Sequence, residues 1–318
     1  MTTSPEELTG KRVLVTGGAG FVGSNIVEEL VSLGASVIVL DDFFTGSRTR
    51  LPPGDVVEVV EGSVVDQDVV AAAMVGADVV IHAAARNIIV STRNPREDYE
   101  VNIGGTLSVL LAAREASIGR VVYTSSASIY GNPRTLPISE DEPVNLLSPY
   151  AVSKFAGESY CHAFYESYGL PTSVVRYSNV YGPGQSPENP YCGVVAKFFE
   201  AAMAGNVPRI HGDGEQTRDY TFVTDVVAAT LLAAVSPKAE GQVYNVGTGR
   251  ETSVNTLARL ILGVSGTTGE ADHVDRRDID NIRRRAVNIE KIRRELRWVP
   301  SVPLERGLHE THAWLAAE

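Results

Sequence analysis

The sequence predicts an α/β protein: a doubly wound parallel sheet with a smaller C-terminal lobe. Three observations predict it. Apolar strand-like runs alternate with helix-like segments through the first half of the 318 residues, the pattern of parallel strands covered on both faces. The stretch Thr16-Gly17-Gly18-Ala19-Gly20-Phe21-Val22-Gly23 falls where the apolar run Val13-Leu14-Val15 gives way to the helical run Ile26–Val31. Glycines at such a junction permit a tight turn and let backbone approach a pyrophosphate seated on the helix N-terminus. A second apolar run, Val37–Leu40, ends in Asp41, 24 residues after Gly17, near the spacing at which a β-α-β unit delivers a carboxylate to an adenosine ribose.

Taken in order, the strands fall at 12–16, 36–40, 56–60, 78–82, 120–125 and 172–177, with helices at 21–33, 67–75, 97–117 and 150–168. Right-handed crossovers between parallel strands wind helices onto both faces. After residue 178 the texture changes. Gly182, Pro183, Gly184, Pro187 and Pro190 mark a long irregular segment, and such loops usually carry function. A helix over about 191–204, a turn-rich hinge at Gly212–Gln216, a helix over about 224–235 and a strand at Gln242–Asn245 follow, with further helices at Ser253–Leu262 and Asn288–Leu296. Residues 1–177 and 213–245 are expected to form the dinucleotide-binding domain, and 178–212 with 246–318 the lobe over the C-terminal edge of the sheet.

Composition narrows the class. An apolar share of 43% and a charged share of 21% are those of an ordinary globular chain. No run reaches the length of a membrane span, and Met1–Gly10 is unlike a secretory leader. Two cysteines, Cys161 and Cys192, lack metal-ligand spacing and fit a reducing cytoplasm. Six scattered histidines form no metal cluster, and the net charge of −11 argues against nucleic acid as a partner. A few convergent arginines would still make a local site for an anionic substrate.

Tyr150 and Lys154 lie four apart after Ser148-Pro149, with the serine placed to cap a helix and the proline at its first turn. One turn separates the two side chains, so they share a face. A phenol with a reference pKa of about 10 is a poor base at neutral pH. A neighbouring ammonium favours its phenolate, and the pair then suits removal of a hydroxyl proton during hydride transfer. Taken alone, such a pair also describes a surface tyrosine packed along a lysine stem. Upstream, Tyr123-Thr124-Ser125-Ser126-Ala127-Ser128-Ile129-Tyr130-Gly131 begins at a strand end, where parallel sheets collect their ligands.

These segments together resemble the extended short-chain dehydrogenase/reductases of the nucleotide-sugar epimerase and dehydratase group. The resemblance runs through Thr16–Gly23, Asp41, His82–Ala85, Asn102–Thr106, Ser125–Gly131, Tyr150–Lys154, Arg176–Pro183 and Gly212–Tyr220. It implies a Rossmann domain with bound NAD. Within it Tyr150 would be the base, Lys154 its activator and ribose ligand, and Ser126 the third catalytic member. Gly17, Gly20, Phe21, Val22, Gly23, Asp41, Ser63, Val64, Ala83, Ala84, Ala85, Asn102 and Tyr177 would join Tyr150 and Lys154 around the cofactor. Ser126, Ser128, Asn179, Arg218 and Arg276 or Arg277 would meet the substrate. The family usually has an aspartate at 63, where this chain has serine. Asp41 would accept from both ribose hydroxyls of NAD and repel the 2′-phosphate of NADP, with Arg48 a partial counterweight along the loop.

Within the family the residues after Ser126 discriminate. Dehydratases that resemble this chain carry an Asp-Glu pair there, and decarboxylases keep the glutamate. This chain has Ala127 and Ser128. The resemblance therefore implies C4 epimerisation of a nucleotide-diphosphate hexose, a UDP-sugar first, through a transient 4-keto sugar. A dehydratase, a decarboxylase, a sugar dehydrogenase and a non-catalytic NAD-binding regulator stand as rivals. The hexose stays open among glucose/galactose, acetamido sugars and uronates. The resemblance also implies a homodimer paired through 97–117 and 150–168, with Leu107, Leu110, Leu111, Phe155, Tyr160 and Phe164 as candidate interface residues.

Overall fold

In a computed structural model, which describes residues 3–189, 192–276 and 282–318, the alternation resolves into seven parallel strands. They are β1 (Arg12–Thr16), β2 (Ser36–Asp41), β3 (Val57–Glu61), β4 (Val79–His82), β5 (Arg120–Ser126), β6 (Thr172–Tyr177) and β7 (Gln242–Val246). Their spatial order is β7-β6-β5-β4-β1-β2-β3. The order reverses between β1 and β4, so the strand ends diverge there and leave a crevice. The register brings Thr16 level with Leu40 on β2 and with His82 on β4.

Alternation along each strand builds two cores. Val13, Val15, Val37 and Val39 pack on one face against Ile26, Val27 and Leu30 of α1 (Phe21–Ser32). Leu14, Ile38 and Leu40 pack on the other against Val70 of α2 (Gln67–Met74) and Val109 of α5 (Thr106–Glu115). Full burial of each such side chain stabilises the fold by about 1.5–3 kcal/mol. Between α2 and α5 lie two short helices, α3 (Ile88–Arg93) and α4 (Pro95–Asp98), each begun by an asparagine cap, Asn87 and Asn94.

The expected helix over 97–117 is continuous over residues 95–115, with a widened middle turn. Tyr99–Gly105 forms a π-helical stretch before α5, a widening common at functional sites. At Gly105 a Cβ would strike Val64, so this segment and the loop after β3 approach closely. Helix α6 (Pro149–Tyr168) starts as expected, with Ser148 accepting from the Ala151 N–H and Pro149 in the first turn.

The smaller lobe gathers α7 (Val194–Met203), α9 (Val254–Ser265), α11 (Leu304–Leu315) and three short strand pairs around Phe199, Phe222, Leu257 and Leu308. Strands at 217–218 and 220–222 belong to those small pairs. The chain rejoins the large sheet only with α8 (Val223–Val235), which packs on β5 and β6 beside α1, rather than at 213. Helix α10 (Glu290–Leu296) seats Ile292 in the same core. Among the described residues no helix is long and apolar enough to cross a membrane, and no His/Cys/Asp/Glu group could hold a metal.

Candidate active site

The C-terminal strand ends open into a cleft of about 290 Å³. Its floor is the glycine turn. Gly17 has φ +68, and a Cβ there would stand 2.7 Å from the Ala84 backbone. A Cβ on Gly23 would strike the Gly17 carbonyl. Gly20 caps α1 without a side chain, so the unpaired N–H groups of the first helical turn, and the positive helix end, meet whatever lies in the cleft. Phe21 and Val22 line it beside them. This cradle fits a dinucleotide pyrophosphate.

Asp41 sits at the far end of the cleft. One carboxylate oxygen accepts from the Ala19 N–H at 2.9 Å and the other from the Phe43 N–H at 2.8 Å. Burial raises its pKa, and the two N–H groups oppose that rise. The remaining lone pairs are available to ribose hydroxyls. Phe43 holds φ +54, a left-handed turn that folds the following loop back over the cleft.

The expected wall is partly corrected. Ala83, Ala84, Ala85, Val64 and Tyr177 line the cleft, with Gly62 and Val101 beside them. Tyr177 is held through its hydroxyl by Thr230 at 2.6 Å. Ser63 and Asn102 stand behind the wall. The Ser63 hydroxyl turns back to accept from the Val65 N–H at 3.3 Å. The Asn102 side chain accepts from the Arg86 N–H at 2.7 Å and donates to the Arg86 carbonyl at 2.9 Å and to Asp98 at 2.6 Å. These bonds fix the Arg86 segment of the wall. His82 does similar work: its ring nitrogens meet Thr16 at 2.6 Å and Thr106 at 3.0 Å, and burial holds its pKa down at about 3, so it is a neutral strut.

Tyr150 and Lys154 both line the cleft from α6, beside Thr124 and Ser125. Ser126 ends β5, accepts from the Ser128 N–H at 3.2 Å and hydrogen-bonds the Tyr150 phenol. The three expected catalytic residues are thus brought together. Their electrostatics differ from the expectation. Desolvation pushes the Tyr150 pKa up to about 12, relieved mainly by Ser126. Lys154 does not offset it. Its ammonium donates to the Thr124 carbonyl at 2.9 Å and lies 5.9 Å from the Tyr150 ring centre. Burial brings Lys154 itself down to about 8, opposed by Asp98 and Glu158.

Beneath this triad lies a network that sequence reasoning missed. Glu158, one turn beyond Lys154, accepts from Arg176 of β6 at 2.7 Å and from the Ser125 hydroxyl. Arg176 also donates to Tyr130 at 2.7 Å, which donates to Asn245 at 2.7 Å. The pair ties the end of β5, which carries Ser126, to α6 and β6. Its only sequence signal was the four-residue step from Lys154 on a shared helix face.

A second cavity, about 610 Å³, adjoins the cleft at Asn87, Cys192 and Gly193. Asn179, Arg218 and Arg276 line it as expected, together with Arg93, Arg209, His211 and Arg283. Arg218 is aimed by the Thr217 and Ile282 carbonyls, at 2.9 and 2.8 Å. The buried Asn179 carbonyl oxygen and the buried Ser128 hydroxyl accept no hydrogen bond within the described residues. Arg277 lies outside the described residues.

A nucleotide fold with a tyrosine–lysine–serine group at its cofactor cleft, opening on an arginine-rich cavity, defines a dinucleotide-dependent enzyme. The chain belongs to the NAD dependent epimerase/dehydratase family, whose model matches residues 13–247, and NAD is its cofactor. It is 42% identical over 306 residues to the UDP-glucose 4-epimerase of Mycolicibacterium smegmatis, covering 94% of this chain and 97% of that one. It is 33% identical over 317 residues to the UDP-N-acetyl-alpha-D-glucosaminuronate decarboxylase of Bacillus cytotoxicus, covering 96% and 97%. The solved UDP-glucose 4-epimerase of Thermotoga maritima, with UDP-glucose, superposes with a TM-score of 0.92 at 36% identity, covering 96% of this chain and 99% of that one.

Proposed function

We propose that the protein epimerises C4 of a nucleotide-diphosphate hexose, a UDP-sugar, without net oxidation. One observation carries the reading. Among the described residues, the acids lining the two cavities are Asp41 and Asp42 at the adenosine end and Asp213 at the outer end. Asp213 is held by Arg283 at 2.8 Å. The wall beside Tyr150 carries Ala127 and Ser128 where a dehydratase or decarboxylase needs a carboxyl group, so oxidation and re-reduction at one carbon is the cycle that remains.

In this reading NAD, when bound, accepts a hydride from C4 and returns it. The protein handles the proton. Tyr150 takes it from O4, with Ser126 holding phenol and hydroxyl in line, and later gives it back. A phenol at about 12 is a reluctant base; positive charge entering the cleft favours its phenolate. Lys154, 5.9 Å from the Tyr150 ring centre, lines the same cleft and would donate to the cofactor ribose. Arg218 and Arg276 would hold the diphosphate, since planar guanidinium donors match phosphate oxygens. The hexose, held more loosely near Asn179 and Ser128, turns over between the two hydride steps.

Two identical chains are proposed to pair over α6 and the π-helical stretch. Leu110 and Phe164 face the core, and Leu107 and Leu111 pack against it. Phe155 packs against the cluster of Ile129 and Tyr130; of the expected residues Tyr160 is exposed, as are Tyr99, Val152 and Tyr168 on the same segments. The deciding experiment incubates the protein with UDP-glucose, UDP-N-acetylglucosamine and UDP-glucuronate and reads products by NMR. A C4 epimer without net NADH is expected. A 6-deoxy-4-keto sugar or released carbon dioxide refutes the reading.

A further inference from the structure

One arginine spans the adenosine end of the cofactor cleft. Arg86 follows the three alanines after β4 and lines the cleft. Its backbone is clamped on both sides by Asn102. Its side chain crosses to the loop after β2, where Nη2 donates to Asp42 at 2.7 Å, while Nε donates to Glu97 of α4 at 2.6 Å. The guanidinium lies 4.0 Å from the Phe44 ring centre. Its side chain is 12% exposed, so this is a fixed bridge rather than a loose surface pair.

The bridge sits next to Asp41, whose carboxyl feels the Arg86 charge. A ribose 2′-phosphate would have to settle beside Asp41 and Asp42, which line this end of the cleft. Recognition of such a group needs planar donors with an uncommitted charge. Arg48, the counterweight expected from the sequence, is turned away: it pairs with Glu61 at 2.6 Å and covers Phe43 at 4.6 Å. Arg50 lines the cleft, donates to the Thr45 carbonyl at 3.2 Å and faces Asp41, Glu188 and Glu318.

We propose that Arg86 is a cofactor-selecting residue: held between Asp42 and Glu97, it closes the adenosine end over NAD and is withheld from the 2′-phosphate of NADP. Selectivity of this kind comes from denying the wrong ligand its partner as much as from contacts to the right one. The inference rests on the NAD site and not on the sugar reaction.

The test measures NAD+ and NADP+ binding to cofactor-stripped protein by calorimetry, so it reads the same whether or not a nucleotide sugar turns over. In Asp42→Asn/Glu97→Gln, Arg86 is released, and NADP+ should bind at least about tenfold tighter, the scale of one charge-assisted hydrogen bond. Adding Arg86→Leu to that background should abolish the gain. Arg86→Leu alone should speed NAD+ release. Unchanged NADP+ affinity in the double variant overturns the proposal. So does a gain that survives Arg86→Leu, which would assign it to Arg50 or to the lost negative charge alone. Glu97→Gln alone, at the rim of the bridge, gives the same comparison in smaller measure if the double variant does not fold.

Discussion

Replacing Lys154 by methionine should make the cofactor-stripped protein more stable at pH 7. Lys154 is 3% exposed, and burial lowers its pKa from 10.5 to about 8. At 1.36 kcal/mol for each pKa unit, keeping that ammonium in the fold costs about 3 kcal/mol. Methionine removes the charge, fills most of the same volume and forfeits the bond to the Thr124 carbonyl, worth about 1 kcal/mol. A net gain of about 2 kcal/mol remains. The sign follows from linkage. The native pKa of this cation lies below its unfolded value, so the penalty is fully present below pH 8, fades between pH 8 and 10.5, and vanishes above. Urea unfolding of both proteins across pH 7–10.5 measures it. The variant should lead at pH 7, and the lead should shrink as pH rises. A wild type more stable at pH 7, or a gap that ignores pH, refutes the account of Lys154 as a buried charge retained for function at the expense of stability.

Tyr150→Phe should lower kcat by about 10²-fold or more while NAD stays bound, since only the proton acceptor is removed; single-turnover kinetics with a cofactor titration checks both. Asn102→Ala should weaken NAD binding through the slackened Arg86 segment with little change in KM for the sugar, read by calorimetry and steady-state kinetics. Glu158→Gln should destabilise the fold by about 3–5 kcal/mol, because it leaves Arg176 buried without its counter-charge, measured by denaturant unfolding. Val152→Glu, at a position 46% exposed on α6, should leave a monomer by light scattering with the helix intact by circular dichroism.

The sequence made the first half of the fold legible because the central parallel strands are continuous apolar runs and the junctions carry glycines or capping residues. Val13–Val15, Val37–Leu40 and Val79–Ile81 are fully fixed by the need to bury both faces. The proposed catalytic group was legible in part: Tyr150 and Lys154 share one helix turn by spacing, while Ser126 at a strand end was singled out by the family resemblance. What sequence reading missed is what distance in the chain conceals. The widened turn at 99–105 and the close approach of Gly105 to Val64 involve two elements distant in the chain. Asn102 looked like a wall residue, yet its amide is used up on the Arg86 backbone 16 residues away.

The same separation explains the electrostatic misjudgement at Tyr150. Spacing alone puts an ammonium one turn from a phenol, and proximity then argues for an acidified tyrosine. Burial is invisible to spacing. In the fold the Lys154 ammonium turns to the Thr124 carbonyl, and desolvation acts on both groups, raising the phenol to about 12 and lowering the amine to about 8. Both shifts disfavour charge, and both are relieved by positive charge reaching the phenol or negative charge reaching the amine. Asp98 and Glu158 already supply the second. Arg285 supplies part of the first; in the proposed reaction further positive charge would come with the bound cofactor, and Tyr150 would then be a better base than in the empty cleft.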